Sequence, residues 1–150
     1  MKKQYKFSII IPAFNPGKKI LHCLKSIEKS INFFSKKKKI NYEILVINDG
    51  GENITLELNL NLKNLKIINL KKNRGVGYAR QYGARISKYN YLFFIDSDII
   101  IKNNTILSLF KDYENLENVG SIGPIQDYRN FNTDFTSDFV CAKRCYGYEN

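Results

Sequence analysis

Residues 7–11, Phe-Ser-Ile-Ile-Ile, form a short and nearly continuous apolar run that ends at Pro12. Such a run suits a strand buried on both faces, as in a parallel sheet. Ile20, Leu24, Ile27, Ile31 and Phe34 then step by four, three, four and three, the spacing of one helix face. Residues 42–47 predict a second strand, closed by the turn-forming Asn48-Asp49-Gly50-Gly51. Residues 66–70 predict a third. Val76, Ala79, Gly83 and Ile86 return to helical spacing, and the apolar residues 91–95 predict a fourth strand ending at Asp96-Ser97-Asp98. Ile106, Leu109, Phe110 and Tyr113 predict a third helix, and residues 119–122 a short fifth strand. Ile54, Leu56, Leu58, Leu60 and Leu62 alternate with period two, and Ile54, Leu58 and Leu62 also step by four. Their place between two strands favours a crossover helix.

Strands alternating with helices predict an α/β fold: a mostly parallel sheet with helices on both faces. Ligands of such sheets bind outside the carboxyl ends of the strands. Here those ends carry Pro12-Ala13-Phe14-Asn15, Asn48–Gly51, residues 71–75 (Lys-Lys-Asn-Arg-Gly) and Asp96-Ser97-Asp98. The unusual chemistry therefore collects on one edge. With 150 residues and 43% hydrophobic composition, the chain reads as one globular domain, its residues 126–150 a poorly defined tail.

The net charge of +10 raises a nucleic-acid reading. Nineteen of the 24 basic residues are Lys, whereas planar phosphate and base readout favours Arg, so no nucleic-acid partner is expected. The densest cluster, Lys36–Lys39, reads as a loop. The Lys excess reads mostly as solvated surface, with attraction to an anionic membrane or a phosphorylated substrate as the functional alternative. Three cysteines, Cys23, Cys141 and Cys145, make neither a disulfide framework nor, with the single His22, a zinc site. Reduced thiols, no apolar run of membrane-spanning length and no secretory signal pattern predict a cytoplasmic protein, at most at the inner face of the membrane.

Asp96 and Asp98 sit two residues apart just past a very apolar strand. Two carboxylates together with a diphosphate make a natural Mg²⁺ or Mn²⁺ site; the bland alternative is a solvated turn that caps the next helix. Asp49 can accept hydrogen bonds from a base or ribose, or serve only its turn. Phe14 can stack on a base, or join the core. Arg74 and Arg80 flank a helix opening suited to an anion, or form a plain surface pair.

Taken together and in order, residues 7–15 (FSIIIPAFN), 47–51 (INDGG), 73–83 (NRGVGYARQYG) and 93–98 (FFIDSD) resemble the nucleotide-binding half of inverting GT-A glycosyltransferases of family 2. The resemblance covers about residues 5–125. It implies a nucleotide-diphospho-sugar transferase fold, incomplete at its C-terminus. Pro12, Ala13, Phe14 and Asn15 would line the base pocket and Asp49 would contact the base. Arg74 and Arg80 would lie near the diphosphate. Asp96 and Ser97 would contact the nucleotide sugar, and Asp98, with Asp96, would hold Mn²⁺ or Mg²⁺. The implied donor is a nucleotide sugar, with a UDP-sugar favoured, and the acceptor a glycan or lipid.

Two departures stand out. Gly51 occupies a position where the family usually has Ser. No carboxylate after residue 125 (Asp127, Asp134, Asp138 or Glu149) sits in a recognisable base motif, so the catalytic base is unassigned. A catalytically inactive nucleotide-sugar-binding domain is therefore the first alternative. An NAD-binding Rossmann domain is a weaker one, because Arg80 stands where its third glycine should be. A phosphatase with an Asp nucleophile leaves too little chain downstream.

Overall fold

In a computed structural model of the chain, the described residues are 3–54, 62–116, 120–122 and 139–143. They form β1 (Gln4–Ala13), α1 (Lys19–Ser35), β2 (Lys39–Asn48), β3 (Leu65–Asn69), α2 (Val76–Ile86), β4 (Tyr91–Ile95), α3 (Thr105–Asn115), β5 (Ser121–Ile122) and β6 (Phe139–Lys143). The sheet order is β3-β2-β1-β4-β6-β5. The pairs β1–β2, β1–β4 and β2–β3 are parallel, and β6 runs antiparallel to both β4 and β5. The mostly parallel sheet expected from the sequence is thus present. Of the fifth strand expected over 119–122, the described residues show Ser121–Ile122, and residue 119 lies outside them. Strand β6, inserted beside β4, is not among the strands predicted from the sequence. The crossover helix expected over 54–62 falls mainly on residues outside the described ones.

Alternation along the central strands divides the core into two layers. Phe7, Ile9 and Ile11 of β1, Ile44 and Val46 of β2, and Phe93 and Ile95 of β4 face α1 and α3. Ile10, Leu45, Ile47 and Leu92 face the other way and pack with Ala79 of α2. In the larger layer Phe7, Phe34, Phe93 and Phe110 form a ring cluster with centroids 5.3–6.0 Å apart. No described helix is long and apolar enough to cross a membrane.

Strand β1 runs through Pro12 instead of stopping at it. Ala13 turns its carbonyl toward β2, where it accepts from the Asp49 N–H at 2.8 Å. Pro12 therefore faces β4, and pairing with β4 is already over at Ile10–Phe94. The missing N–H costs no ladder bond.

Just before β4 begins, the buried Glu43 carboxylate in the middle of β2 accepts from Ser8 Oγ at 2.6 Å and from the Lys88 N–H, while Ser8 Oγ accepts from the Tyr89 N–H at 3.2 Å. These bonds satisfy a buried charge and fix the connection that launches β4.

Helix α2 lies close on the sheet at Gly83, where a Cβ would fall 2.5 Å from Ile10 Cγ2 and 3.2 Å from Ile47 Cγ1. Gly→Ala inside a helix ordinarily stabilises by about 1 kcal/mol. At Gly83 the overpacking should win, and Gly83→Ala is expected to lose about 1–3 kcal/mol in denaturant unfolding. An unchanged or raised midpoint would show that α2 simply lifts away.

Candidate functional site

From β1 the chain proceeds outward through β2 and β3, then crosses back to place β4 on the other side of β1. The strand order reverses between β1 and β4, and crevices of open α/β sheets bind ligands at such a reversal. The carboxyl ends of these two strands carry Pro12–Asn15 and Asp96–Asp98. Asp49 follows the neighbouring β2. The geometry therefore brings the sequence-predicted residues to one edge.

Asp49 is 3% exposed and already engaged. Its Oδ1 and Oδ2 accept from the Arg74 N–H at 3.0 and 3.1 Å, and its Oδ2 accepts from the Gly75 N–H at 2.7 Å. A carboxylate offers about four acceptor directions. Most of those of Asp49 are spent on holding the loop before α2 against the end of β2. Beside it the fully buried Asn48 donates from Nδ2 to the Glu52 carbonyl at 2.8 Å and to Asn69 Oδ1 at 2.9 Å, tying the ends of β2 and β3 together.

Arg80 reaches from α2 to Asp96, with Nη2 2.7 Å from Oδ1, and both side chains are partly exposed. Asp98, partly buried in the turn that follows, makes no hydrogen bond or ion pair among the described residues. Beneath this turn lies the fully buried Cys23 of α1, whose thiol donates to the Asp96 carbonyl at 3.5 Å. Burial, with the Asp98 and Asp96 charges behind it, pushes the Cys23 thiol up to about 12 from 9.0. The folded chain thus keeps a proton that the unfolded chain releases above pH 9. Stability from this group is intact below pH 9 and falls, by about 1.4 kcal/mol per pH unit, as pH rises toward 12. Urea unfolding at pH 8, 9 and 10 should show a steeper alkaline loss for the wild type than for Cys23→Ala. Parallel losses would contradict it.

Phe14 is 52% exposed, which removes the core reading for this ring. Asn15, at φ 46°, uses its Oδ1 to accept from the Glu52 N–H at 2.8 Å. A Cβ on residue 51 would lie 2.5 Å from that same Oδ1. Gly51 thus makes room for the Asn15 carboxamide, a physical reason for the departure at this position. The exposed Arg74 stacks its guanidinium 4.2 Å over the Tyr78 ring. It does not join Arg80 on Asp96, so the two arginines act separately. His22 is exposed on α1. Asp127, Asp134, Asp138 and Glu149 lie outside the described residues, as does Cys145.

Among the described residues no three His, Cys, Asp or Glu side chains gather closely enough to hold a metal ion by themselves. Asp96 and Asp98 still fit a hard divalent cation. Mg²⁺ in particular is commonly held by one or two carboxylates, with phosphate oxygens and water completing its shell.

Residues 8–142 match the model of glycosyl transferase family 2. The chain belongs to that family. The match extends past the 125 limit expected from the motifs and takes in most of β6. Family 2 membership also sets aside the NAD-binding and phosphatase readings. The dolichyl-phosphate β-glucosyltransferase of Dictyostelium discoideum is 31% identical over 119 residues, covering 75% of this chain and 34% of that protein. The poly(ribitol-phosphate) β-N-acetylglucosaminyltransferase TarP of Staphylococcus aureus is 33% identical over 111 residues, covering 70% and 32%. The structure of S. aureus TarS in complex with UDP-GlcNAc superposes with a TM-score of 0.58 at 28% identity, covering 73% of this chain and 32% of that one. The fold is that of GT-A glycosyltransferases. It is shared at 14% identity and a TM-score of 0.70 with a Pyrobaculum calidifontis mannosyltransferase in complex with GDP-Man and Mn²⁺, covering 95% and 45%. The chain spans about a third of the length of these two curated relatives.

Proposed function

We propose that this family 2 chain binds a nucleoside-diphosphate sugar, a UDP-sugar in first place, together with Mn²⁺ or Mg²⁺. It would thereby supply the donor side of an inverting glycosyl transfer to a glycan or lipid. The observation that carries the reading is the Asp98 carboxylate, without a hydrogen-bond or ion-pair partner among the described residues, next to the Arg80–Asp96 pair at the point where the strand order reverses. The UDP-GlcNAc complex of TarS supports the choice of nucleotide.

In this reading Phe14 stacks on the base, worth roughly 1–3 kcal/mol, with Pro12, Ala13 and Asn15 forming the pocket wall. Asp49 has about one acceptor direction left for a base N–H, so its larger contribution is to hold Arg74 and Gly75 in place. Arg74, held over the Tyr78 ring, offers guanidinium N–H groups to the diphosphate. Arg80 orients Asp96 toward the ribose, with Ser97 beside it. Asp98 and Asp96 would hold the cation, which when bound neutralises charge on the departing diphosphate. Activation of the acceptor hydroxyl needs a base as well, and none of the carboxylates named above is placed in that role. A cytoplasmic setting is part of this reading, with the exposed Lys36–Lys39 offering electrostatic attachment to anionic lipid.

Calorimetry with UDP, GDP, dTDP and NAD, each with and without Mn²⁺, tests the reading. UDP binding that strengthens with metal is the expected result. Metal-independent binding of NAD would overturn it.

A further inference from the structure

The buried face of α1 is apolar except for a polar stripe, Cys23, Ser26 and Ser30, at helical steps of three and four. All three side chains are bonded to the segment that carries the two aspartates. The Cys23 thiol donates to the Asp96 carbonyl at 3.5 Å. Ser26 Oγ accepts from the Ile101 N–H at 3.1 Å, and Ser30 Oγ accepts from the Ile106 N–H at 3.4 Å. These partners are more than 70 residues away in sequence.

Each bond meets a backbone need. Residues 99–102 belong to no helix or strand, so the Ile101 N–H has no ladder to join. Ile106 is in the first turn of α3, where N–H groups lack intrahelical partners. The preceding Asn104 makes no side-chain cap. Ser30 therefore caps α3 from a different helix. Ser26 donates its own proton to the Cys23 carbonyl at 2.7 Å, which leaves its oxygen free to accept from Ile101. Between these points Ile99 and Ile101 are buried, while Ile100 stays outside. Residues 96–106 are thus fastened to α1 at three polar points and by two apolar side chains.

We propose that Cys23, Ser26 and Ser30 are positioning residues: α1 serves as a rail that sets where the Asp96 and Asp98 carboxylates stand. The proposal rests on the nucleotide-and-metal reading above for its functional half. A buried hydroxyl in a helix could be replaced by Ala with little packing loss, so its value here lies in the backbone donor it satisfies. Removing it frees the loop without touching either carboxylate.

The test compares Ser26→Ala and Ser30→Ala with Ile27→Val, a core change on the same helix that touches none of these bonds. Amide hydrogen exchange reads the rail directly. Ser26→Ala should speed exchange at the Ile101 amide and Ser30→Ala at Ile106, whereas Ile27→Val should leave both near wild type once the shift in global stability is subtracted. UDP titration in Mn²⁺ reads the consequence. Ser26→Ala should weaken binding roughly tenfold, the size of one lost hydrogen bond. Ile27→Val should not, even at a matched drop in Tm, and Ser26→Thr, which keeps the acceptor oxygen, should recover most of the affinity. Unchanged exchange at Ile101 in Ser26→Ala would overturn the rail. Faster exchange with unchanged UDP affinity would overturn the positioning role and leave the nucleotide reading standing. A wild type that binds no UDP in Mn²⁺ would sink the nucleotide reading and the positioning role with it, while the exchange data would still judge the bonds.

Discussion

Asp98→Asn is expected to abolish metal-dependent UDP binding while the chain stays folded. The two halves of that expectation have separate causes. Asp98 makes no hydrogen bond or ion pair among the described residues, so neutralising it breaks none of their contacts. A change of that kind ordinarily shifts stability by no more than about 0.5 kcal/mol. Toward a divalent cation the loss is large. At an effective dielectric near 20, a unit charge pair 4 Å apart is worth about 4 kcal/mol, and a dication doubles the charge on one side. Asparagine keeps an oxygen but not the charge, so affinity should fall by orders of magnitude. Ser97→Ala removes only a hydroxyl and should cost far less. Asp96→Asn should be less specific than Asp98→Asn, because it also takes the charge from the 2.7 Å partner of Arg80 and so weakens that link to α2. Isothermal titration of Mn²⁺ into the UDP-saturated chain, with circular dichroism as the control for folding, reads all three. Small and equal effects of Asp98→Asn and Ser97→Ala would reduce the segment to an ordinary turn.

The parts of this structure that could be read from sequence are those whose signal is local. The central strands are apolar on both faces, so residues 7–11 and 91–95 announce themselves by composition alone. The helix faces of α1 and α3 follow from spacing. Strand β6 does not, because Phe139–Lys143 owes its place to antiparallel pairing with β4, nearly fifty residues back in sequence. The site divides in the same way. Asp49, Asp96 and Asp98 stand at strand ends, and position alone nominates them. Their partners were not legible. Nothing in the sequence says that Arg80 pairs with Asp96, that Asp49 turns inward to two backbone N–H groups, or that Ser26 and Ser30 anchor a loop more than 70 residues away. Ser26 and Ser30 interrupt an otherwise apolar helix face, and that interruption was the one available signal.

Gly50→Ala should damage both folding and nucleotide binding, and the reason lies in one crowded turn. Gly50 has φ +75°, a region that disfavours a side chain for steric reasons internal to the residue. The surroundings are worse. A Cβ there would lie 2.3 Å from the Asn73 nitrogen and from the Lys72 carbonyl carbon, and 2.6 Å from Lys72 Cα. All three are backbone atoms, so no rotamer change relieves the clash. Only separation of residues 72–73 from the end of β2 does. That separation would pull Arg74 and Gly75 away from Asp49, whose bonds to their N–H groups are 2.7–3.1 Å long. Asp49 would then be a nearly buried carboxylate short of donors, at a cost of about 1–3 kcal/mol or more. Added to the backbone strain of about 1–3 kcal/mol, the loss consumes much of the ordinary stability of a small domain. Urea unfolding should show a midpoint lower than that of Gly83→Ala, where the obstructing atoms belong to side chains that can shift. At temperatures where Gly50→Ala remains folded, UDP affinity should still fall, because the loop carrying Arg74 no longer docks. A variant with wild-type stability would show that the turn re-forms around alanine and that Asp49 keeps its loop without glycine beside it.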